Sequence, residues 1–337
     1  MYKVHYIKSK CSLHFSIFQF FFFVLTNTIL LTCCTGQQTT ISPKDKAKRD
    51  SLALRIGVMP TIDCLPIYYA SRMNLFEKVG VDVCLVEYLS QMDCDTAVQN
   101  NRVHLSYTDI ARTLQMPEDI RVVMGMEGRL SLITARTKRI RQLKHLNERM
   151  VAIDRLSQTD YWSDELMRLA GLDQAAIYRP QINDVRLRTA MLMEQLVDAA
   201  LLPEPYATQA QKKGNRRIFE MSDSSLKMAC LVMPAKLLRD SVRTKQVELF
   251  FAAYDKAVET LNGNDFNRDS LNCILRQQYE MPKDLADSIV LPSFHNAHLP
   301  KTADVDKAML WLQERERVIK TGRRDNLICS KFVSKTK

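Results

Sequence analysis

Between Leu54 and Ala135, short runs of apolar, β-favouring residues alternate with segments whose apolar residues recur at helical spacing. Few architectures admit that alternation, because a strand that buries both faces needs a helix layer on each side. LRIGVMP reads as a first strand and LPIYYASRMNLF as a helix. VDVCLVEYL is a second strand, apolar nearly throughout, as a strand covered on both faces should be. A polar helix around DTAVQNN and strands in VHLSYTD, IRVVMGME and LSLITAR extend the pattern. The expectation is an α/β fold with a mostly parallel sheet flanked by helices.

A second cycle begins at MVAID. A helix from about Tyr161 to Ala170 follows, with Ser157, Thr159 and Asp160 as caps and Gly171 at its end. AIYRPQI is a marginal strand, because Pro180 cannot donate to a ladder. A helix from Asp184 and strands in VDAALLP and RRIFEM complete a smaller sheet. MACLVMP then leads into helices over 241–262, 269–279, 283–290 and 303–318, whose apolar stripes read as core.

The amino terminus has the pattern of a secretory signal, with Lys3, Lys8 and Lys10 ahead of an apolar stretch that runs to Leu31. LTCCTGQQ comes next and resembles the lipobox of bacterial lipoproteins. Residues 1–34 are therefore expected to be a leader, with Cys34, or alternatively Cys33, acylated as a lipid anchor. An uncleaved membrane span is the competing reading. Residues 35–51 are polar and aperiodic and read as a flexible tether with a reach on the order of 20 Å. Either way the body is placed outside the cytoplasm.

A formal charge of +10 invites a nucleic-acid reading until it is divided along the chain. Segments 1–34, 35–50 and 315–337 carry +3, +2 and +6, which leaves residues 51–314 at −1. A phosphate-tracking groove on the body has little support, and no nucleic-acid partner is expected. Of nine cysteines, Cys64, Cys84, Cys94, Cys230, Cys273 and Cys329 fall in the body with no CxxC spacing, and no bridge is assigned. GxSxG, Walker, HExxH and GxGxxG motifs are missing, so no catalytic residue or cofactor is expected. His295 and His298 lie in a proline-flanked loop without a third ligand and read as plain surface, so no metal is assigned either.

Glu204 stands between Pro203 and Pro205, which fix the chain direction on both sides. The stretch reads as strand, stiff corner and a short helix from Tyr206 to Lys213 closed by Gly214. Open α/β sheets bind ligands in the crevice beyond strand ends. That rule selects Thr61, Asp63, Cys64, Ser90, Gln91, Thr108 and Asp109 in the first half of the chain. In the second half it selects Asp154, Ser157, Gln158, Thr159, Trp162, Glu204 and Tyr206. Ser157, Thr159 and Asp109 are also good helix caps, a purely structural role.

Four segments resemble the substrate-binding proteins of ABC importers for nitrate, sulfonates, taurine and thiamine-precursor pyrimidines. They are LRIGVMPTIDCLPIYYASRMNLFEKVGVDVCLVEY, AVQNNRVHLSYTD, TKRIRQLKHLNERMVAID and NDVRLRTAMLMEQLVDAALLPEPYATQAQKKGNRRI, in the family's order. The chain departs from it at Asn74, near Asn101 and at Gln195, where relatives commonly have glycine. The resemblance implies a type II periplasmic-binding-protein fold with one lobe from 52–133 and 229–330 and another from 134–228. It also implies hinged closure on a small polar ligand, delivery to an ABC permease, and no catalytic group. The candidate list holds Asp63, Asp109, Asp154 and Glu204 but no base, which favours a neutral or cationic ligand with N–H donors. An aminopyrimidine stacked on Tyr68, Trp162 or Tyr206 is the expected ligand. A sulfonate- or nitrate-type anion is the alternative, as is a pyrimidine-synthesising enzyme of the same fold.

Overall fold

The computed structural model describes residues 52–333 apart from 223, 224, 264, 265, 318, 320 and 321. The expected leader with Cys33 and Cys34, and the tether, lie outside the described residues. Among the described residues no helix is long and apolar enough to cross a membrane.

The first sheet has the order β2-β1-β3-β9-β4, with β1 at Leu54–Val58, β2 at Val83–Glu87, β3 at Leu105–Asp109, β4 at Ile120–Gly125 and β9 at Ala229–Pro234. β1 pairs in parallel with β2 and β3, while β9 runs antiparallel between β3 and β4. The second sheet has the order β6-β7-β5-β8, with β5 at Leu130–Thr134, β6 at Val151–Ala152, β7 at Ala199–Pro203 and β8 at Arg216–Glu220. Here β5 is the single reversed strand. Both sheets are thus mixed, with all strands but one running the same way, and in each the reversed strand is the first one reached after the chain crosses between sheets. Strand pairing puts residues 130–133 in the second sheet, so the first crossing falls at 126–129, earlier than the boundary expected after residue 133. The return crossing is 221–228. AIYRPQI forms no strand and contributes only the isolated bridges of Tyr178 and Gln181.

The helices are α1 Leu65–Arg72, α2 Leu75–Lys78, α3 Gln91–Gln99, α4 Ile110–Gln115, α5 Gln158–Ala170, α6 Val185–Met193, α7 Tyr206–Lys212, α8 Ser241–Asn262, α9 Arg268–Gln277, α10 Lys283–Ser288 and α11 Thr302–Glu314. Their ends follow local chemistry. Ser157 accepts the Thr159 N–H at 3.0 Å to start α5, and Gly171 ends it at φ 66°. Asp184 accepts the Leu187 N–H at 2.9 Å to start α6. Asn74, Asn101 and Gln195 all adopt the left-handed conformation, at φ 53°, 56° and 62°. The departures from glycine therefore fall where a left-handed turn is required, a conformation that asparagine takes at least cost after glycine.

The apolar core divides by sheet face and not by lobe. One cluster joins Ile56, Leu105 and Leu231 of the first sheet to Ile133, Ala200 and Leu202 of the second, under α1, α7 and α8. The other joins Val122, Cys230 and Val232 to Leu132, Ala199 and Leu201, under α4, α5 and α11. Alternation along β9 and β7 sends successive side chains into different clusters, so each cluster runs across both lobes.

Gly128 in the first crossing segment has φ +58°, and a Cβ there would lie 2.5 Å from Gln158 Oε1 and 2.7 Å from the Ala229 Cβ. Replacing it with alanine adds a methyl group where no space exists and a backbone conformation that disfavours a side chain. Gly128→Ala is expected to lower the unfolding free energy by about 3 kcal/mol, measured by urea denaturation.

Candidate functional site

The lobes meet along a seam of direct hydrogen bonds. Asp109, at the end of β3, uses Oδ1 to accept the Arg112 N–H at 2.8 Å and so caps α4. Its Oδ2 accepts the Gln158 N–H at 2.9 Å, which caps α5 in the opposite lobe. Gln158 Nε2 donates to the Gly128 carbonyl at 2.6 Å, and the Gly128 N–H donates to Asp63 Oδ1 at 3.1 Å. The Tyr107 hydroxyl donates to Asp63 Oδ2 at 3.2 Å. The Ile62 N–H donates to the Glu204 carbonyl at 2.8 Å, and the Val185 N–H to the Leu89 carbonyl at 3.0 Å. Arg112 Nη1 reaches across to the Arg155 carbonyl at 3.2 Å and to Asp154 at 3.4 Å.

Beside this seam lies a cavity of about 520 Å³, with walls from both lobes. Asp63 and Ile62 come from the turn after β1, Arg129 and Ser131 from the crossing and β5, and Glu204, Thr208, Lys212 and Arg217 from the second lobe. Leu285, Ile289 and Leu291 supply an apolar lip. Glu204 occupies the proline corner as expected, but its carboxylate is already engaged. It makes an ion pair with Arg217 and accepts the Thr208 N–H at 3.1 Å in the first turn of α7. Arg217 also pairs with Glu220 at 2.9 Å. Lys212 is exposed at the rim, with no carboxylate partner among the described residues.

Of the residues selected from sequence, Asp63 and Glu204 line this cavity. Asp109, Gln158 and Asp154 instead hold the seam, whereas the Ser157 hydroxyl donates to the Asp154 carbonyl at 2.7 Å within the second lobe. The Thr159 hydroxyl accepts the Asp154 N–H at 2.8 Å, a local loop contact. Thr108 donates to Asp95 at 2.6 Å within the first lobe. Thr61 is buried, and its carbonyl accepts the Tyr279 hydroxyl at 2.9 Å. Cys64 is fully buried, and desolvation pushes its thiol up to about 12.

Tyr68 donates to Glu87 at 2.8 Å and lines a separate hollow. Ser90 caps α3 by accepting the Asp93 N–H at 3.1 Å, and Gln91 begins that helix. Trp162 packs on Phe219 with ring centroids 5.5 Å apart, and Tyr206 is buried beside Arg186. None of these three aromatic residues faces the cavity, so stacking on Tyr68, Trp162 or Tyr206 has no support there. The bases Arg129, Lys212 and Arg217 went unselected because they lie on a crossing segment, a helix and a strand, away from the loops after strand ends. His295 contacts Glu127, and its ring lies 5.9 Å from that of His298. Among the described residues no group of three metal-ligating side chains occurs.

Burial dominates the titration of the seam acids. Desolvation raises Asp63 to about 6, with the Glu127 charge adding to it, and raises Asp109 to about 7. A carboxyl raised in this way binds more protons folded than unfolded, so its ionisation costs stability as pH rises through the folded value. The cost is fully present above about pH 7 and is relieved as pH falls toward the unfolded value near 4. Unfolding free energy should therefore increase from pH 8 to pH 5. Asp63→Asn should flatten that rise by about 1 kcal/mol, as read from urea denaturation across the pH series.

The same arrangement of lobes is found in solved structures. The periplasmic aliphatic sulphonate binding protein SsuA from Escherichia coli superposes with a TM-score of 0.65 at 16% identity, over 85% of this chain and 94% of that one. The periplasmic nitrate-binding protein NrtA from Synechocystis gives 0.69 at 9% identity, over 82% and 86%. The desulfurization enzyme DSZB gives 0.60 at 13% identity, over 83% and 97%. These likenesses establish a periplasmic-binding-protein fold. No curated protein sequence is significantly similar to the chain. The family described as NMT1/THI5 like matches residues 61–264, more than half of the chain. With that match over the turn after β1, the whole second lobe and all of α8, the chain belongs to the NMT1/THI5-like family.

Proposed function

We propose that the protein is the solute-binding component of an ABC importer and holds a small organic anion in the interlobe cavity. The observation that carries this reading is the cavity itself, whose walls come from both lobes and combine Lys212, Asp63 and the paired charges of Arg129, Arg217, Glu204 and Glu220 with an apolar lip. A cavity that two lobes complete together couples ligand capture to closure, which is how a hinged trap works. The expectation of an amine-bearing ligand rested on a list of acids without bases. Glu204 is neutralised by Arg217, which also pairs with Glu220, and Arg129 lies 3.8 Å from Glu127, so Lys212 is left as the base without a carboxylate partner among the described residues; it points to an acidic head group with an apolar body against Leu285 and Ile289. SsuA binds aliphatic sulphonates, which have that form. An aminopyrimidine held by Asp63 is the second reading, favoured by the place of Asp63 in the same cavity.

Binding is preferred to catalysis because Cys64, next in sequence to the cavity residue Asp63, is fully buried and held protonated. We further propose export and lipid anchoring through Cys34 or Cys33, supported by the leader and the lipobox resemblance, and an ABC permease as the partner that receives the ligand. Calorimetric titration with straight-chain alkanesulfonates should show saturable binding. Arg217→Met and Lys212→Met should each weaken it by at least about tenfold. Tighter binding of an aminopyrimidine, lost in Asp63→Asn, would instead select the second reading.

A further inference from the structure

The seam is open at a second place. On the face of the first sheet that carries α4 and α11, a groove of about 690 Å³ runs between the lobes. The 520 Å³ cavity opens on the other face, beside Leu285 of the opposite core cluster, and the Asp109–Gln158–Gly128 contacts stand between the two. The groove is therefore separate from the proposed ligand site.

Its charged lining is unbalanced. Arg112, Arg155, Arg315 and Arg317 meet there against Asp95 and Asp160. Both acids are committed. Asp95 pairs with Arg112 and accepts from Thr108, and Asp160 accepts the Leu156 N–H at 2.8 Å and lies 3.4 Å from Arg315. Asp164, just behind, takes Arg179 at 2.8 Å and Arg315. Arg155 and Arg317 are exposed and have no carboxylate partner among the described residues. Arg155 and Arg315 lie close enough to Arg179 that their charges help to lower its pKa, after the larger effect of burial. Arg112 and Arg315 are offset by these acids, whereas Arg155 and Arg317 add two further guanidinium groups to the groove, which is unfavourable unless an anion offsets them.

We propose that this groove is a second binding site, built jointly by the two lobes, for a compact soluble polyanion of the phosphoryl class. Arg155 comes from the second lobe, whereas Arg315 and Arg317 follow α11 on the first. An anion held between them favours the closed arrangement, and by linkage a ligand that closes the lobes strengthens the anion's binding. A recessed groove with unpaired guanidinium groups from both walls suits at least two negative charges on one small molecule better than a single diffuse charge.

The protein carries its own reporter. Trp162 and Trp311 are its two tryptophans, and the Arg315 guanidinium sits 5.3 Å from the centre of the Trp311 ring. In the full-length chain with Trp162→Phe, inorganic pyrophosphate should change Trp311 emission saturably. Arg155→Ala combined with Arg317→Ala should weaken that binding at least tenfold, and the paired lysine variants should recover part of it. Arg217→Met, in the other cavity, should leave it unchanged. The proposal is overturned if the double alanine variant binds pyrophosphate as tightly as the parent. It is equally overturned if Arg217→Met removes binding, or if sodium chloride at matched ionic strength gives the same response. Binding only to phosphatidylglycerol vesicles would assign the groove to a lipid surface and also overturn it.

Discussion

One carboxylate caps two helices at once. Asp109 satisfies an N–H at the start of α4 with one oxygen and an N–H at the start of α5, in the other lobe, with the second. Each cap is worth about 1 kcal/mol, and the negative charge is further favoured by the two helix dipoles that converge on it. Removing that charge from water works against this, as its pKa near 7 shows. Because the contact joins the lobes directly, it fixes where Gln158 falls, and Gln158 then closes on Gly128. The position of both hollows follows from that central closure, one on each face.

The division of the core by face gives this closure a different character from two rigid bodies touching at their rims. Apolar side chains of β7 and β9 pack into clusters that continue across the crossing segments. Opening the seam must therefore shear packed side chains near the crossings as well as break hydrogen bonds at the far edge. The crossings are themselves joined, since Lys227 on the return segment lies 3.4 Å from Glu127 on the outgoing one. Interiors packed at crystal-like density resist small displacements and favour a few discrete arrangements.

Features set by neighbours in sequence were legible and those set by distant partners were not. Ser157, Asp184 and Gly171 mark helix ends because a cap acts over two to four residues, and LRIGV reads as a strand wherever it is placed. LSLIT reads equally well as a strand of either lobe. Only its pairing with Ala199–Pro203 and Arg216–Glu220 assigns it to the second. The corner at Glu204 was visible in its flanking prolines, yet its neutralisation by Arg217 depends on β8 lying beside β5, which no local pattern encodes. Selecting residues at strand ends found the acids of the seam and missed the bases of the cavity, because Arg129, Lys212 and Arg217 approach from a crossing, a helix and a strand.

The order of strands in the first sheet bears on how the polypeptide matures when it emerges amino end first. β9 lies between β3 and β4, so the stretch ending at Gly125 leaves a vacant slot in the middle of its sheet until residues 229–234 arrive. The second sheet is contiguous in the chain and has all four strands once Glu220 is out. The lobe encoded in the middle can therefore mature before the one encoded first, whose exposed β3 and β4 edges await a late partner. Those two unpaired edges are the surfaces on which a holding chaperone would act.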